Sequence, residues 1–346
     1  MTVERPPADF GLLAGLTRAT FGTGQRLLGL ERIEDATKKG VYRATFDDGF
    51  SAVIYVWHPS ENYWPGAEVP SDHADPFSPA SGLDLFRAAH TRLTDLGVRT
   101  PKLYLADAGH EHYPADVAVV EDLTGPTLEE VLAQQPDRAL PVMGQFSRAI
   151  QAMHADKATR FGKLPHVSNG GTSHGSSCEQ VVLDRGLADL AEASARVSQI
   201  SGARERLEDA LRERAAGLSP RSEYGLIHGE LDPGHVLLDD EGRPAIIDIE
   251  GLMYFDVEWE HAFLKLRLDD DYETLRVPGL DQRRLDFYTL AYHLDLVAGP
   301  LRLLNGDFPR PEAMMEIVES NARAALRAAT GQAPQVVTVL GGAAAT

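Results

Sequence analysis

HGELDPGHVLLDDEGRPAIIDIEG, residues 228–251, holds two short apolar runs on either side of a turn. Val236 to Leu238 form the first run and Ala245 to Ile247 the second, while Asp239 to Arg243 supply the turn, with Gly242 inside it. The pattern predicts loop, strand, hairpin turn, strand. An antiparallel hairpin brings its last residue back level with its first. His235 before the first strand and Asp248 after the second are therefore expected at one end, with Glu230 on the loop leading in. Phosphoryl transfer asks a protein for a divalent metal on the nucleotide phosphates, an acceptor hydroxyl in line, and a carboxylate that orients the hydroxyl and takes its proton. Glu230 suits the carboxylate; His235 and Asp248 suit the metal.

Working outward, Leu27 to Glu34, Val41 to Phe46 and Ala52 to Trp57 read as strands, with Ala36 to Gly40 joining the first two and Asp47-Asp48-Gly49 forming a tight turn. Residues before them are compatible with a short lead-in helix through Phe10, Leu12, Leu13 and Leu16. Pro65, Pro70, Pro76 and Pro79 keep Glu61 to Ser81 a loop, which Trp57, Tyr63 and Trp64 are expected to pack against the lobe rather than to line a ligand. Leu85, Ala89 and Leu93 mark the buried face of a helix over Leu83 to Leu96, and strands follow at Leu103 to Leu105 and Val117 to Val120. Leu128 to Ala133, Val142 to His154, Arg204 to Ala215, Arg283 to Val297 and Glu312 to Ala329 read as helices. Pro311 and Gly331 bracket the last one, and the final GGAAAT is expected to fray. SNGGTSHGSS, Ser168 to Ser177, reads as a linker or substrate lid.

The stretch from His228 resembles the aminoglycoside phosphotransferase family, whose pattern is HGDxxxxN followed by IDxE. His228, Gly229, Pro233, Gly234, Ile247, Asp248 and Glu250 carry the match, and Asp256 and Glu260 continue it. The resemblance implies an α+β, protein-kinase-like bilobal fold: a small β-rich N-lobe, residues 1–122, binding the nucleotide, and a larger, mainly helical C-lobe, residues 123–346, with the catalytic and acceptor sites. It implies Mg2+ as cofactor and ATP or GTP as phosphoryl donor. Glu121 to Gly125 would form the hinge, so Glu121 and Leu123 are expected beside the base.

Four departures stand out. Glu230 replaces the family's catalytic Asp, Asp232 stands where the family has His and is a second candidate base, and His235 replaces the metal-binding Asn, as in the macrolide phosphotransferases. The third strand, SAVIYVW, has Tyr55 near the place of the usual lysine. Lys38 and Lys39, on the loop over the phosphates, are the expected substitutes. A kinase-like module that binds a ligand without chemistry is the alternative, and a metallohydrolase using His228, Glu230 and His235 is disfavoured because no further His or Cys set is near.

Fifty-two acids against thirty-three bases give a formal charge of −19 over 346 residues, which argues against nucleic acid as a partner. One cysteine, Cys178, excludes an internal disulfide and fits a reducing cytoplasm. No apolar run is long enough to span a bilayer, so no membrane partner is expected. The expectation is a cytoplasmic monomer or dimer acting on a hydroxyl of a small, antibiotic-like molecule of aminoglycoside, macrolide or nucleoside type.

Overall fold

The computed structural model describes residues 9–33, 36–67, 69 and 71–330. Glu34, Pro70, Gly331 and the GGAAAT tail, on which parts of the sequence reading fell, lie outside the described residues. The N-lobe is an antiparallel sheet of five strands: β1 (Leu27–Arg32), β2 (Gly40–Phe46), β3 (Ser51–Trp57), β4 (Leu103–Asp107) and β5 (Asp116–Glu121). Their spatial order is β1-β2-β3-β5-β4. Side chains alternate across a strand, and both faces are used. Tyr42, Ala44, Ile54 and Val56 pack under Leu13 and Leu16 of α1 (Phe10–Phe21). Val41, Val53 and Tyr55 face the other way, and Tyr55 meets Phe86 of α2 (Leu83–Asp95) at 5.6 Å. Leu85, Ala89 and Leu93 are buried on α2, as their spacing predicts.

After residues 121–125 come α3 (Leu128–Gln134), opened by a Thr127–Glu130 capping box, and α4 (Pro136–Ala155). Short pieces follow: β6 (Lys157–Ala158), β7 (Gly162–Lys163) and α5 (Leu164–Ser168). The helical body is α6 (Cys178–Arg196), α7 (Ser198–Ser201), α8 (Arg204–Ala216), α9 (Val257–Leu268), α10 (Gln282–Leu303) and α11 (Pro311–Ala329). Ser177 caps α6 by accepting from the Gln180 N–H, so the Gly/Ser-rich loop ends in a helix start. Among the described residues, no helix is long and apolar enough to cross a membrane.

Two small β-structures position the site. β8 (Tyr224–Ile227) and β11 (Met253–Phe255) pair antiparallel, with Met253 opposite Ile227, inside a four-stranded sheet of order β6-β8-β11-β7. The chain from His228 to Leu252 therefore leaves and returns at one anchored point. Within it, β9 (Val236–Leu238) and β10 (Pro244–Ile246) form the expected hairpin, Val236 opposite Ile246. Gly125 of the hinge lies against this hairpin so closely that a Cβ there would sit 2.1 Å from the Leu238 carbonyl oxygen. Only glycine permits that contact, which ties the hinge to the loop carrying the acidic residues.

Candidate active site

The loop after β8 is fixed from below. Glu260, buried on α9, accepts from the backbone N–H of His228 at 2.6 Å and of Gly229 at 3.2 Å, and its other oxygen meets His154 Nε2 at 2.9 Å. Burial pushes the Glu260 carboxyl up, but the hydrogen bonds and charges of His154 and His228 outweigh it and hold it below the ordinary value. His228 Nε2 lies 3.0 Å from the Ile247 carbonyl, which can only accept, so this nitrogen carries the proton. Burial, with the neighbouring His235 charge adding, keeps the ring's pKa low, so His228 is a neutral brace. Asp256 serves the fold in the same way, held by Tyr288 at 2.5 Å and by Arg284.

His235 follows from the same loop. Its Nδ1 is 3.1 Å from the Glu230 carbonyl, an acceptor, so Nδ1 carries a proton, and in the neutral ring Nε2 has the lone pair. Asp248, after β10, has φ +57° and ψ +45°, a left-handed conformation that Asp tolerates better than most residues and that marks a constrained position. Lys39 Nζ reaches Asp248 Oδ1 at 2.6 Å and Glu250 Oε1 at 2.6 Å, and Trp57 Nε1 donates to the same Glu250 oxygen at 3.2 Å. The ammonium also lies 5.2 Å from the centre of the Tyr55 ring. Burial opposes the Lys39 charge, yet Asp248 and Glu250 outweigh it and raise its pKa; burial likewise raises Asp248, and Lys39 with His235 and Lys38 overcomes it and holds that carboxyl well below the usual range.

Glu230 and Asp232 separate sharply. Glu230 opens onto a cavity, with Lys38 Nζ 3.8 Å from its carboxylate. Asp232 is buried: it accepts from the Gly234 N–H at 2.7 Å, pairs with Arg267, and lines neither of the two cavities at the site. Burial raises its carboxyl and Arg267 more than compensates, leaving it below the ordinary value. Its geometry is that of a loop brace.

Two cavities meet here. One of about 370 Å³ lies under the sheet, lined by Val41, Tyr55, Leu123, His235 and Ile247 among others, with Glu121 at its rim. Glu121's carboxylate is held by Arg99 at 2.8 Å and 2.9 Å. Among the described residues, neither the N–H nor the C=O of Leu123 has a backbone partner. The second cavity, about 380 Å³, lies between the loop after β3 and helices α6, α9 and α10, and contains Glu230, Trp64, Phe77, Trp259 and Tyr292. Lys38 and Asp248 line both. Trp64 thus borders a cavity as well as packing, donating to Thr37 Oγ1 at 3.1 Å.

The sequence reading missed the site role of Glu250, although it lies in the quoted motif, and the part played by Phe77 and Lys163. Lys163 is buried on β7 and donates to Ser78 at its carbonyl, 2.5 Å, and hydroxyl, 2.6 Å, fixing the loop that forms a wall of the second cavity. Burial, with the Lys38 charge adding, pushes its amine down to about 8. Asp72 and Ala74 of the same loop bond to His174, at 2.8 Å each. Such long-range contacts leave no local sequence signal.

An antiparallel-sheet N-lobe and a mainly helical C-lobe make up a protein-kinase-like fold. The profile of the phosphotransferase enzyme family matches residues 70–302, and the chain belongs to that family. No match was found among curated protein sequences. Among solved structures the chain is similar to a thermostable mutant of aminoglycoside phosphotransferase APH(4)-Ia in ternary complex with ADP and hygromycin B, at 17% identity and a TM-score of 0.59 over 90% of this chain and 98% of that one. The choline kinase LicA from Streptococcus pneumoniae gives 14% identity and a TM-score of 0.59 over 91% and 98%. A putative fructosamine-3-kinase from Thermobifida fusca YX-ER1 gives 21% and 0.51 over 90% and 98%. At these identities the likeness speaks for the fold.

Proposed function

We propose that the protein transfers the γ-phosphate of ATP or GTP to a hydroxyl of a small-molecule acceptor. The observation that carries this is the meeting of two cavities at Lys38 and Asp248, with the hinge on one side and Glu230 on the other. The nucleotide base occupies the cavity under the sheet, where the free backbone groups of Leu123 can recognise it; the acceptor occupies the cavity beside Glu230. The acceptor oxygen forms a bond to the γ-phosphorus and the bond from that phosphorus to the β–γ bridging oxygen breaks. The nucleoside diphosphate leaves with the electron pair, and Glu230 takes the hydroxyl proton.

Magnesium commonly takes one or two carboxylates from a protein and completes its shell with phosphate oxygens and water. Asp248 fits that donor set, with His235 Nε2 as a second, softer donor. Among the described residues, no cluster of three or more His, Cys, Asp or Glu side chains could hold a metal ion. When bound, magnesium would neutralise phosphate charge. Lys39 takes the place left by the missing strand lysine, reaching from the start of β2 across the Tyr55 ring to Asp248. Lys38, lining both cavities, faces the transferred group. A panel of hydroxylated compounds incubated with ATP or GTP, read as a mass gain of one phosphate, tests the proposal; no gain with any acceptor, despite nucleotide binding, would leave a binding module.

A further inference from the structure

We propose that the acceptor is an uncharged hydroxylated molecule with a flat apolar body, and that the cavity is built against polycations. This rests on the phosphotransfer reading of the cavity and names the class of molecule it takes. The aromatic side chains that reach the cavity surface are the part-buried Trp64 and Phe77, on one loop, with Phe77 backed at 5.1 Å by the buried Trp259, which stacks on Tyr292 with ring centres 3.9 Å apart. Flat apolar surface of this kind suits planar rings and sugar faces.

Most charges in the cavity are already committed to one another, and Glu230, 35% exposed and 3.8 Å from Lys38, is the loosely held one. Asp295 pairs with Arg185 at 2.5 Å, Asp248 and Glu250 share Lys39, and Glu230 faces Lys38. Arg302 is held by Glu192 at 2.7 Å and by Asp189. Among the described residues, no carboxylate lining the cavity lacks a cationic partner within the protein. A polycation needs several such carboxylates, because a buried ammonium without one loses its hydration uncompensated. The position best suited to an acceptor ammonium, over an aromatic face and beside an acid, is filled from within: the Arg185 guanidinium lies 5.0 Å from the centre of the Phe77 ring while it pairs with Asp295. The formal charge of −19 belongs to the whole chain and does not reach this cavity as free carboxylate.

Phe77 and Trp64 are therefore the residues that select the acceptor, and Arg185 the one that refuses a cation. Calorimetric titration of the full chain, its nucleotide cavity filled with a non-hydrolysable ATP analogue, tests this with phenyl β-D-glucopyranoside and thymidine as uncharged probes and neamine as a polyammonium sugar. At least one uncharged probe is expected to bind, and to weaken in Phe77→Ala and Trp64→Ala, while neamine binds weakly or not at all. Arg185→Ala, which uncovers Asp295 and the Phe77 face, is expected to strengthen neamine about tenfold, near the worth of one desolvated cation–π contact. Neamine binding the unaltered protein as tightly as the uncharged probes, failure of both uncharged probes, or binding indifferent to both aromatic substitutions would overturn the proposal. Should Arg185→Ala fail to fold, the two aromatic variants still decide it. An uncharged probe that binds in this cavity but gains no phosphate when ATP or GTP with magnesium replaces the analogue supports the ligand class and counts against the phosphotransfer reading.

Discussion

Lys39→Met is expected to destabilise the protein far more than Lys38→Met, although the two residues are adjacent. The Lys39 side chain is 7% exposed, and its ammonium sits 2.6 Å from both Asp248 and Glu250. Methionine keeps the apolar stem and leaves the buried Glu250 carboxylate, and the 30% exposed Asp248 carboxylate beside it, with no cation between them. Removing one partner of a buried ion pair costs about 3–5 kcal/mol, a large share of a total stability of roughly 5–15 kcal/mol. Lys38 faces a Glu230 side chain that is 35% exposed across 3.8 Å. A pair so open to solvent contributes ~1 kcal/mol at most. Urea unfolding followed by tryptophan fluorescence at neutral pH measures both losses. Adding Glu250→Gln to Lys39→Met should return part of the loss, since one of the two uncompensated charges is gone. A Lys39→Met protein within about 1 kcal/mol of the unaltered one, or a Lys38→Met protein that loses as much, would refute the reasoning.

Further outcomes follow from the same contacts. Glu230→Gln is expected to leave nucleotide and acceptor binding largely intact and to lower turnover by roughly 100-fold or more, whereas Asp232→Asn, which disturbs the Arg267 pair, should act mainly on stability; steady-state kinetics beside melting curves separate the two. Because burial lowers the Lys163 amine to about 8, the unfolded chain holds that proton to higher pH than the folded one, so folding stability gains as pH rises from about 8 towards the ordinary lysine value of 10.5. Urea titrations across that window should show the gain, and Lys163→Met should abolish it; an unchanged slope would count against the buried ammonium. Gly125→Ala forces a Cβ to within 2.1 Å of the Leu238 carbonyl oxygen, and the displacement should cost ~1–3 kcal/mol and weaken nucleotide affinity, both readable by melting with and without nucleotide.

The hairpin and most N-lobe strands were legible because alternation and turn residues lie close together in sequence. Val236 to Leu238 form β9 as read, and β10 is Pro244–Ile246 where Ala245 to Ile247 was expected, a shift of one residue. The helix read over Leu83 to Leu96 is α2 within one residue. β8 and β11 were not legible: each is a short apolar run that acquires meaning only by pairing with the other. α6 was not read as a helix, its start masked by the preceding Gly/Ser run read as a linker or lid. At the site, sequence could not tell Asp232 from Glu230, since the partner that occupies Asp232 is Arg267 on a distant helix. The choice between Lys38 and Lys39 was closer to hand. Lys39, Val41 and Arg43 alternate onto the cavity under the sheet, so the strand period reached the residue even though its partners, Asp248 and Glu250, lie far along the chain.

In the proposed reaction a phosphoryl group crosses from one cavity to the other at Asp248. The most direct test compares unaltered protein with Asp248→Asn, each given ATP or GTP, magnesium and a bound hydroxyl acceptor, with product followed by 31P NMR. The account predicts a phosphorylated acceptor and nucleoside diphosphate from the unaltered protein, and loss of both from Asp248→Asn while acceptor binding beside Glu230 persists. Transfer by Asp248→Asn at a rate close to that of the unaltered protein would contradict it.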